Sequence, residues 1–191
     1  MGSNYMTDPV VFLIDTLFSL YILAVMLRFL LQWTQADFYN PVSQFLVKVT
    51  HPPLRVMRRF IPAFGRIDSS SLVLALLLQM LANFAILAVK DLSVGFVALA
   101  LLSFADLLKM ILDIFVYAIF AAAILSWFAP GNYSGASSIL YSLTEPLLNV
   151  CRRVIPDLGG IDLSPLAALV LLQLAKMMVL PPLHQLIAIL G

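Results

Sequence analysis

One stretch of thirteen residues occurs twice in this chain, and that repetition limits the fold more than any other feature. The first copy reads Arg58-Arg59-Phe60-Ile61-Pro62-Ala63-Phe64-Gly65-Arg66-Ile67-Asp68-Ser69-Ser70. The second reads Arg152-Arg153-Val154-Ile155-Pro156-Asp157-Leu158-Gly159-Gly160-Ile161-Asp162-Leu163-Ser164. The offset is 152 − 58 = 94 residues without a gap, and from Arg58 to Leu72 nine of fifteen positions are identical. The same offset pairs Trp33 with Trp127, Tyr39 with Tyr133, Thr50 with Thr144, Pro52 with Pro146 and Gln79 with Gln173. Self-similarity at a fixed period means repeated copies of one structural unit. We therefore expect repeats over residues 10–104 and 105–191, after a tail of residues 1–9. In that tail Met1-Gly2-Ser3 ahead of Met6 reads as a remnant added for expression, and no basic residue precedes the first apolar run as a cleaved signal would require.

Composition says what the unit is. The chain is 62% hydrophobic and 11% charged, with mean hydropathy +1.03. Such apolar excess places it in a bilayer. A net charge of +1 supplies no broad basic field, so direct nucleic-acid binding is not expected. Cys151 is the one cysteine, which excludes an intramolecular disulfide and any CxxC site.

Four apolar runs are long enough to cross a ~30 Å hydrocarbon core. They are Val10–Leu31, Leu72–Val89, Leu107–Phe128 and Ser164 to about Leu180, with Pro181-Pro182 as the stop and Leu183–Leu190 as a short tail. Leu92–Phe104 is too short to span and reads as a continuation of the second helix or as an interfacial helix. Were it to cross, the two repeats would be inverted. Arg28 is expected to snorkel to the interface, near an aromatic belt of Trp33, Phe38 and Tyr39.

Between the spans of each repeat lies a helix too charged to cross. Asn40-Pro41 starts the first one, with Asn as N-cap and Pro in the first turn. Val42, Phe45, Leu46, Val49, Val56, Met57, Phe60 and Ile61 fall on one face, while Gln44, Lys48, His51, Arg55, Arg58 and Arg59 fall on the other. Residues from Ile139 to Val154 repeat the pattern. Both read as amphipathic helices lying in the headgroup plane. Pro52 should kink or divide the first, with Thr50 as cap of its second half. Ser70 or Ser71, and Ser164 before Pro165, should cap the spans that follow.

Seven of the eleven basic residues lie in the two motif loops, so those loops should face the cytoplasm and both termini the outside. The motif has a structural account. Arg58, Arg59, Arg152 and Arg153 meet headgroup phosphates of a lipid bilayer, anionic lipids especially, or a membrane protein partner. Pro62 and Pro156 end the helices, Gly65 and Gly159 turn the chain, and Asp68 with Ser70 and Asp162 with Ser164 satisfy amides of the next helix.

Intramembrane polar groups are functional candidates by default. Asp15 and Lys109 are equivalent positions (109 − 15 = 94) of opposite charge that could pair. Asp113 and Lys176 fall at similar depth and form a second candidate pair. These pairs either hold the bundle together or mark an ion path. Gln79 and Gln173 are expected to hydrogen-bond between helices. Ala118, Ala122 and Ser126, and Ala82 with Ala85 and Ala88, suit close internal packing or a homo-oligomer. His51 and His184 do not correspond between repeats, and no metal or cofactor is expected. No catalytic grouping appears, so an enzyme is not expected.

The repeated Arg-Arg-x-Ile-Pro-x-x-Gly-x-Ile-Asp-x-Ser, with Leu125-Ser126-Trp127-Phe128 and Thr144-Glu145-Pro146 upstream, resembles the YggT (YlmG) family of small integral membrane proteins, in the two-copy proteobacterial form. The first repeat departs at Arg66, Ser71 and His51, which stand where the second has Gly160, Pro165 and Glu145, so the second copy is expected to be the better-formed site. The resemblance implies the bacterial inner membrane, osmotic and ion homeostasis, proximity to cell-division genes and, in chloroplasts, cytochrome maturation and nucleoid organisation. It implies no enzymatic reaction. The reading that follows is an all-α protein of four spans in two repeats, acting as a non-enzymatic membrane assembly or scaffolding factor. The alternative is an ion channel, transporter or transport accessory.

Overall fold

Long leucine- and alanine-rich runs with few breakers favour helices, because a helix satisfies its own backbone where water is absent. The computed structural model describes residues 4–62, 67–128, 135–154 and 162–190. Among them the regular elements are six helices: α1 (Asn4–Trp33), α2 (Pro41–Met57), α3 (Ser69–Val89), α4 (Phe96–Phe128), α5 (Gly135–Val154) and α6 (Ser164–Leu190). Four contain stretches long and apolar enough to cross a membrane: Thr7–Trp33, Ser69–Val89, Phe96–Ser126 and Ser164–Leu190. The protein is an all-α multi-pass membrane protein.

The spans stand in the order α1, α3, α4, α6. α1 packs along α3, α4 along α6, and α3 against α4, whereas α1 and α6 do not meet among the described residues. The core joins Ile22, Val25 and Met26 of α1 to Ala75 of α3, Ile119 and Ala118 of α4, and Leu143 of α5. Ala118, Ala122 and Ala82 are buried, so these small residues serve internal packing.

α1 and α3 both end without glycine. At the end of α1, Gln35 takes a left-handed φ of 56°, and Ala36 N–H reaches Leu31 C=O at 2.9 Å. At the end of α3, Asp91 has φ 53° and Leu92 N–H reaches Leu87 C=O at 2.9 Å. Both are Schellman closures. The second one reverses the chain between α3 and α4, so the first spans of the two repeats run the same way. α2 and α5 then meet at one end of the bundle. There the Asn40 side chain accepts Val42 N–H at 2.9 Å, capping α2 as expected. Its Nδ2 also donates to Gly135 C=O at the start of α5. A methyl group on Gly135 would lie 2.8 Å from that nitrogen, so a side chain there would push the Asn40 amide aside.

Four expectations about breaks are corrected. Leu92–Phe104 neither continues α3, which stops at Val89, nor forms an interfacial helix; from Phe96 it is the first part of α4. Nothing at Ala105-Asp106 breaks a helix, and Asp106 is held by α3. At 33 residues α4 is about 50 Å long, so it tilts or overhangs the core. Pro52-Pro53 do not divide α2, and Thr50 is no cap: its hydroxyl donates back to Leu46 C=O at 2.6 Å. Pro181-Pro182 do not stop α6, which continues to Leu190. Asp68 rather than Ser70 or Ser71 holds the N-cap position of α3, but contrary to expectation its side chain makes no capping hydrogen bond, and α6 begins at Ser164 itself.

Proline removes one N–H and leaves the carbonyl four residues earlier without its helical partner. For Pro53 that carbonyl belongs to Val49, and Tyr21 O–H of α1 donates to it at 3.3 Å. Nearby, Arg28 Nη1 donates to Thr50 Oγ1 at 2.8 Å and to Val47 C=O at 3.3 Å. Arg28 is 5% exposed, so it braces α2 instead of snorkelling into the headgroups.

Candidate functional site

The end of the bundle where α2 and α5 meet carries the repeated motif. In each repeat the first motif arginine turns back onto the motif aspartate. Arg58 pairs with Asp68, which is fully buried, while the arginine is 39% exposed. Asp68 Oδ2 also accepts Ser71 O–H at 2.9 Å. Its Oδ1 has no hydrogen-bond partner among the described residues. Burial alone raises the Asp68 pKa; hydrogen bonds and charge from Arg58, with Ser71, outweigh that and hold it below the usual carboxylate value. Ser70 O–H donates to Ile61 C=O at 2.7 Å, fastening the turn to the end of α2.

The second repeat solves the same problem more openly. Arg152 Nη2 lies 3.0 Å from Asp162 Oδ2 and its Nη1 lies 2.9 Å from Glu145 Oε1. Asp162 Oδ1 accepts Ser164 N–H at 2.8 Å, the helix-start role expected of it. All three charged side chains are about two-fifths exposed. Burial works against both Asp162 and Arg152, yet hydrogen bonding lowers the Asp162 pKa, and Asp162 with Glu145 raises that of Arg152.

The second arginine of each pair behaves differently. Arg59 and Arg153 are exposed and make no ion pair or side-chain hydrogen bond with the described residues. Pro62 is exposed where the chain leaves α2. Gly65, Pro156 and Gly159 lie outside the described residues.

The two halves of the α2 surface are sharper than the sequence pattern suggests. Leu46 and Met57 turn into the core along with Ser43, Thr50 and Leu54. Val42, Phe45, Val56 and Phe60 remain exposed as a separate apolar stripe. Gln44, Lys48, His51, Arg55 and Arg59 form the exposed polar stripe beside it.

Within the spans, Lys176 Nζ pairs with Asp113 Oδ1, as the depth argument expects, with side chains 16% and 31% exposed. Asp15 and Lys109 are not brought together. Among the described residues Asp15 accepts only Ser19 O–H, at 3.4 Å, and Asp15 and Lys109 lie on outward faces. The reason is packing: α1 and α4 meet through the core residues, and Asp15 and Lys109 point away from it. Gln79 does bridge helices, donating to Asn83 Oδ1 at 3.3 Å and Asp106 Oδ2 at 3.4 Å. Asn83 Nδ2 reaches Asp106 Oδ2 at 2.9 Å and Ser103 Oγ at 3.2 Å. Gln173 is exposed and has no such partner among the described residues, which corrects the expectation for that position. Its equivalent neighbours would come from a following repeat.

Asn83, Ser103 and Asp106 are the residues that sequence reasoning missed. The signal was present as two amides one helical turn apart on α3 opposite an acid just past the turn. The assumed helix boundary at Phe104 concealed it.

A family model described as CCB3/YggT matches residues 7–89 and again 101–183. Its two matches repeat the 94-residue offset (101 − 7 = 94). A Pseudomonas aeruginosa protein is 44% identical over 172 residues, 89% of this chain and 87% of its own. The YggT protein of Escherichia coli K12 is 39% identical over 171 residues, covering 89% and 88%. A Vibrio alginolyticus protein is 41% identical over 170 residues, covering 86% and 90%. No solved structure matches.

Proposed function

The chain belongs to the CCB3/YggT family of membrane proteins, and on that premise we propose that it is a non-enzymatic assembly or scaffolding factor of the bacterial inner membrane. In this reading the motif end faces the cytoplasm, α2 and α5 lie at the headgroup level, and both termini lie outside. One observation carries the proposal. In both repeats the first arginine is tied into the fold, while Arg59 and Arg153 are exposed at the same end of the bundle and have no ion pair among the described residues. An unpaired guanidinium beside exposed apolar side chains suits a phosphate headgroup or an acidic surface on a membrane partner.

The test is crosslinking and pull-down from native membranes with Arg59→Gln/Arg153→Gln. We expect specific crosslinked partners to fall severalfold while the protein still accumulates in the membrane. Retained partners would sink the scaffold reading.

Transport linked to osmotic or ion balance is the second reading, favoured by the Asp113–Lys176 pair inside the spans. Ion flux in sealed liposomes decides it. Flux that disappears in Asp113→Asn and Lys176→Gln establishes a path. Absence of flux in folded, oriented protein removes it.

A further inference from the structure

The two interfacial helices come from one repeated unit, yet their exposed polar stripes have diverged in charge. On α2 the stripe is Gln44, Lys48, His51, Arg55 and Arg59, all exposed. At the same offset α5 carries Ser138, Ser142, Glu145, Asn149 and Arg153. The first stripe has three full positive charges (Lys48, Arg55, Arg59), whereas in the second Glu145 cancels Arg153. Glu145 is in addition tied to Arg152. Arg58 is neutralised by Asp68 and so adds nothing to the α2 field.

We propose that α2 is the principal anionic-lipid binding surface, the Lys48–Arg55–Arg59 stripe taking headgroup phosphates, and that α5 retains only Arg153 for that role. The proposal deepens the headgroup-binding reading above and rests on it. Two observations choose a leaflet over a nucleic acid or an acidic soluble protein. The basic stripe borders an apolar stripe in which Phe45 is 63%, Val56 56% and Phe60 79% exposed. That pairing of adjacent faces fits the boundary between headgroups and acyl chains. Moreover α2 is fixed to the second half of α1 through Tyr21 and Arg28, and to the start of α3 through Arg58 with Asp68, so its height is set by the bundle. Each basic side chain near an anionic surface contributes independently and is weakened by salt.

This assignment reverses the ranking of the copies suggested by the motif. The second copy keeps the more regular motif, but the first keeps the charge.

The test uses the full-length protein in bilayer discs of phosphatidylglycerol and phosphatidylcholine, with retained lipids counted by native mass spectrometry. Wild type should retain phosphatidylglycerol preferentially, and Lys48→Gln/Arg55→Gln/Arg59→Gln should lose most of that preference, at least threefold. Arg153→Gln, which removes a single charge from α5, should cost only a minor part of it. Ser142→Lys/Asn149→Arg, which adds charge to α5, should increase it, a gain that misfolding cannot imitate. Equal losses from the α2 and α5 variants, or no gain from the added charges, would overturn the asymmetry and leave headgroup binding standing. A wild-type protein without anionic preference would overturn both.

Discussion

Arg58 and Arg152 each reach an aspartate ten positions on (68 − 58 = 162 − 152), but burial makes the two pairs unequal. Asp68 is fully enclosed, and Asp162 is 39% exposed. Removing a buried charge's partner leaves desolvation uncompensated, whereas an exposed pair is screened. Arg58→Gln, which leaves the Asp68 carboxylate buried and unpaired, should therefore cost about 3 kcal/mol of stability, and Arg152→Gln, which leaves an exposed Asp162, about 0.5 kcal/mol, measured by unfolding in mixed micelles. The pH dependence has a definite sign. A carboxyl depressed in the folded state stabilises it above the unfolded value of ~3.9, and that contribution is lost as pH falls toward the folded value. The acid-side loss between about pH 4 and lower should be flatter in Asp68→Asn than in wild type. The aspartates were legible from sequence as helix-start residues. Their pairing with arginine was not, because a ten-residue separation across a turn corresponds to no helical or strand period.

Prolines show at the level of elements why local rules gave wrong breaks. Read alone, Pro52 kinks or divides a helix and Pro181-Pro182 stop one. In a bundle, neighbouring side chains can supply donors to the carbonyls that proline frees. Tyr21 does this for Val49. The second repeat offers a natural control: Leu147 stands where Pro53 stands, and Phe115 where Tyr21 stands. Leucine has the N–H, so no hydroxyl is needed. Tyr21→Phe should thus cost about 1 kcal/mol in wild type. The same change should cost markedly less in a Pro53→Leu background, where the helical bond is restored. A thermal-unfolding double-mutant cycle reads the coupling, and additive effects would refute the compensation. Gln35 belongs to the same scale. Its left-handed φ favours glycine, so Gln35→Gly should raise stability by about 0.5–1 kcal/mol if the turn is as described. The helices themselves were legible from apolar length and from Asn40-Pro41. The closures at Gln35 and Asp91 were not, since neither carries the usual glycine.

For the whole molecule the repeat offset fixed two units and a shared direction, but it left open how the units join. The joint is a polar one: Gln79 and Asn83 of α3 hold Asp106 of α4. Asp106 belongs to the second repeat's leading helix, so the first repeat's trailing span finds its partner in the next copy. α6 is the trailing span of the second copy, and Gln173 on it lies exposed. Identical residues at equivalent positions should then have unequal effects. Asn83→Leu and Gln79→Leu should each lower stability by about 1 kcal/mol, because interhelical hydrogen bonds in bilayers are worth roughly that or less. Gln173→Leu should fall within about 0.5 kcal/mol of wild type. Reversible unfolding in mixed micelles, followed by helicity, measures all three. A cost for Gln173→Leu equal to that of Gln79→Leu would mean that α6 has a polar partner of its own, and a second copy of the chain is the first place to seek it. A cost near zero at all three would mean that apolar packing alone holds the repeats together, and that the amide–carboxylate cluster between α3 and α4 is free to serve the transport reading instead.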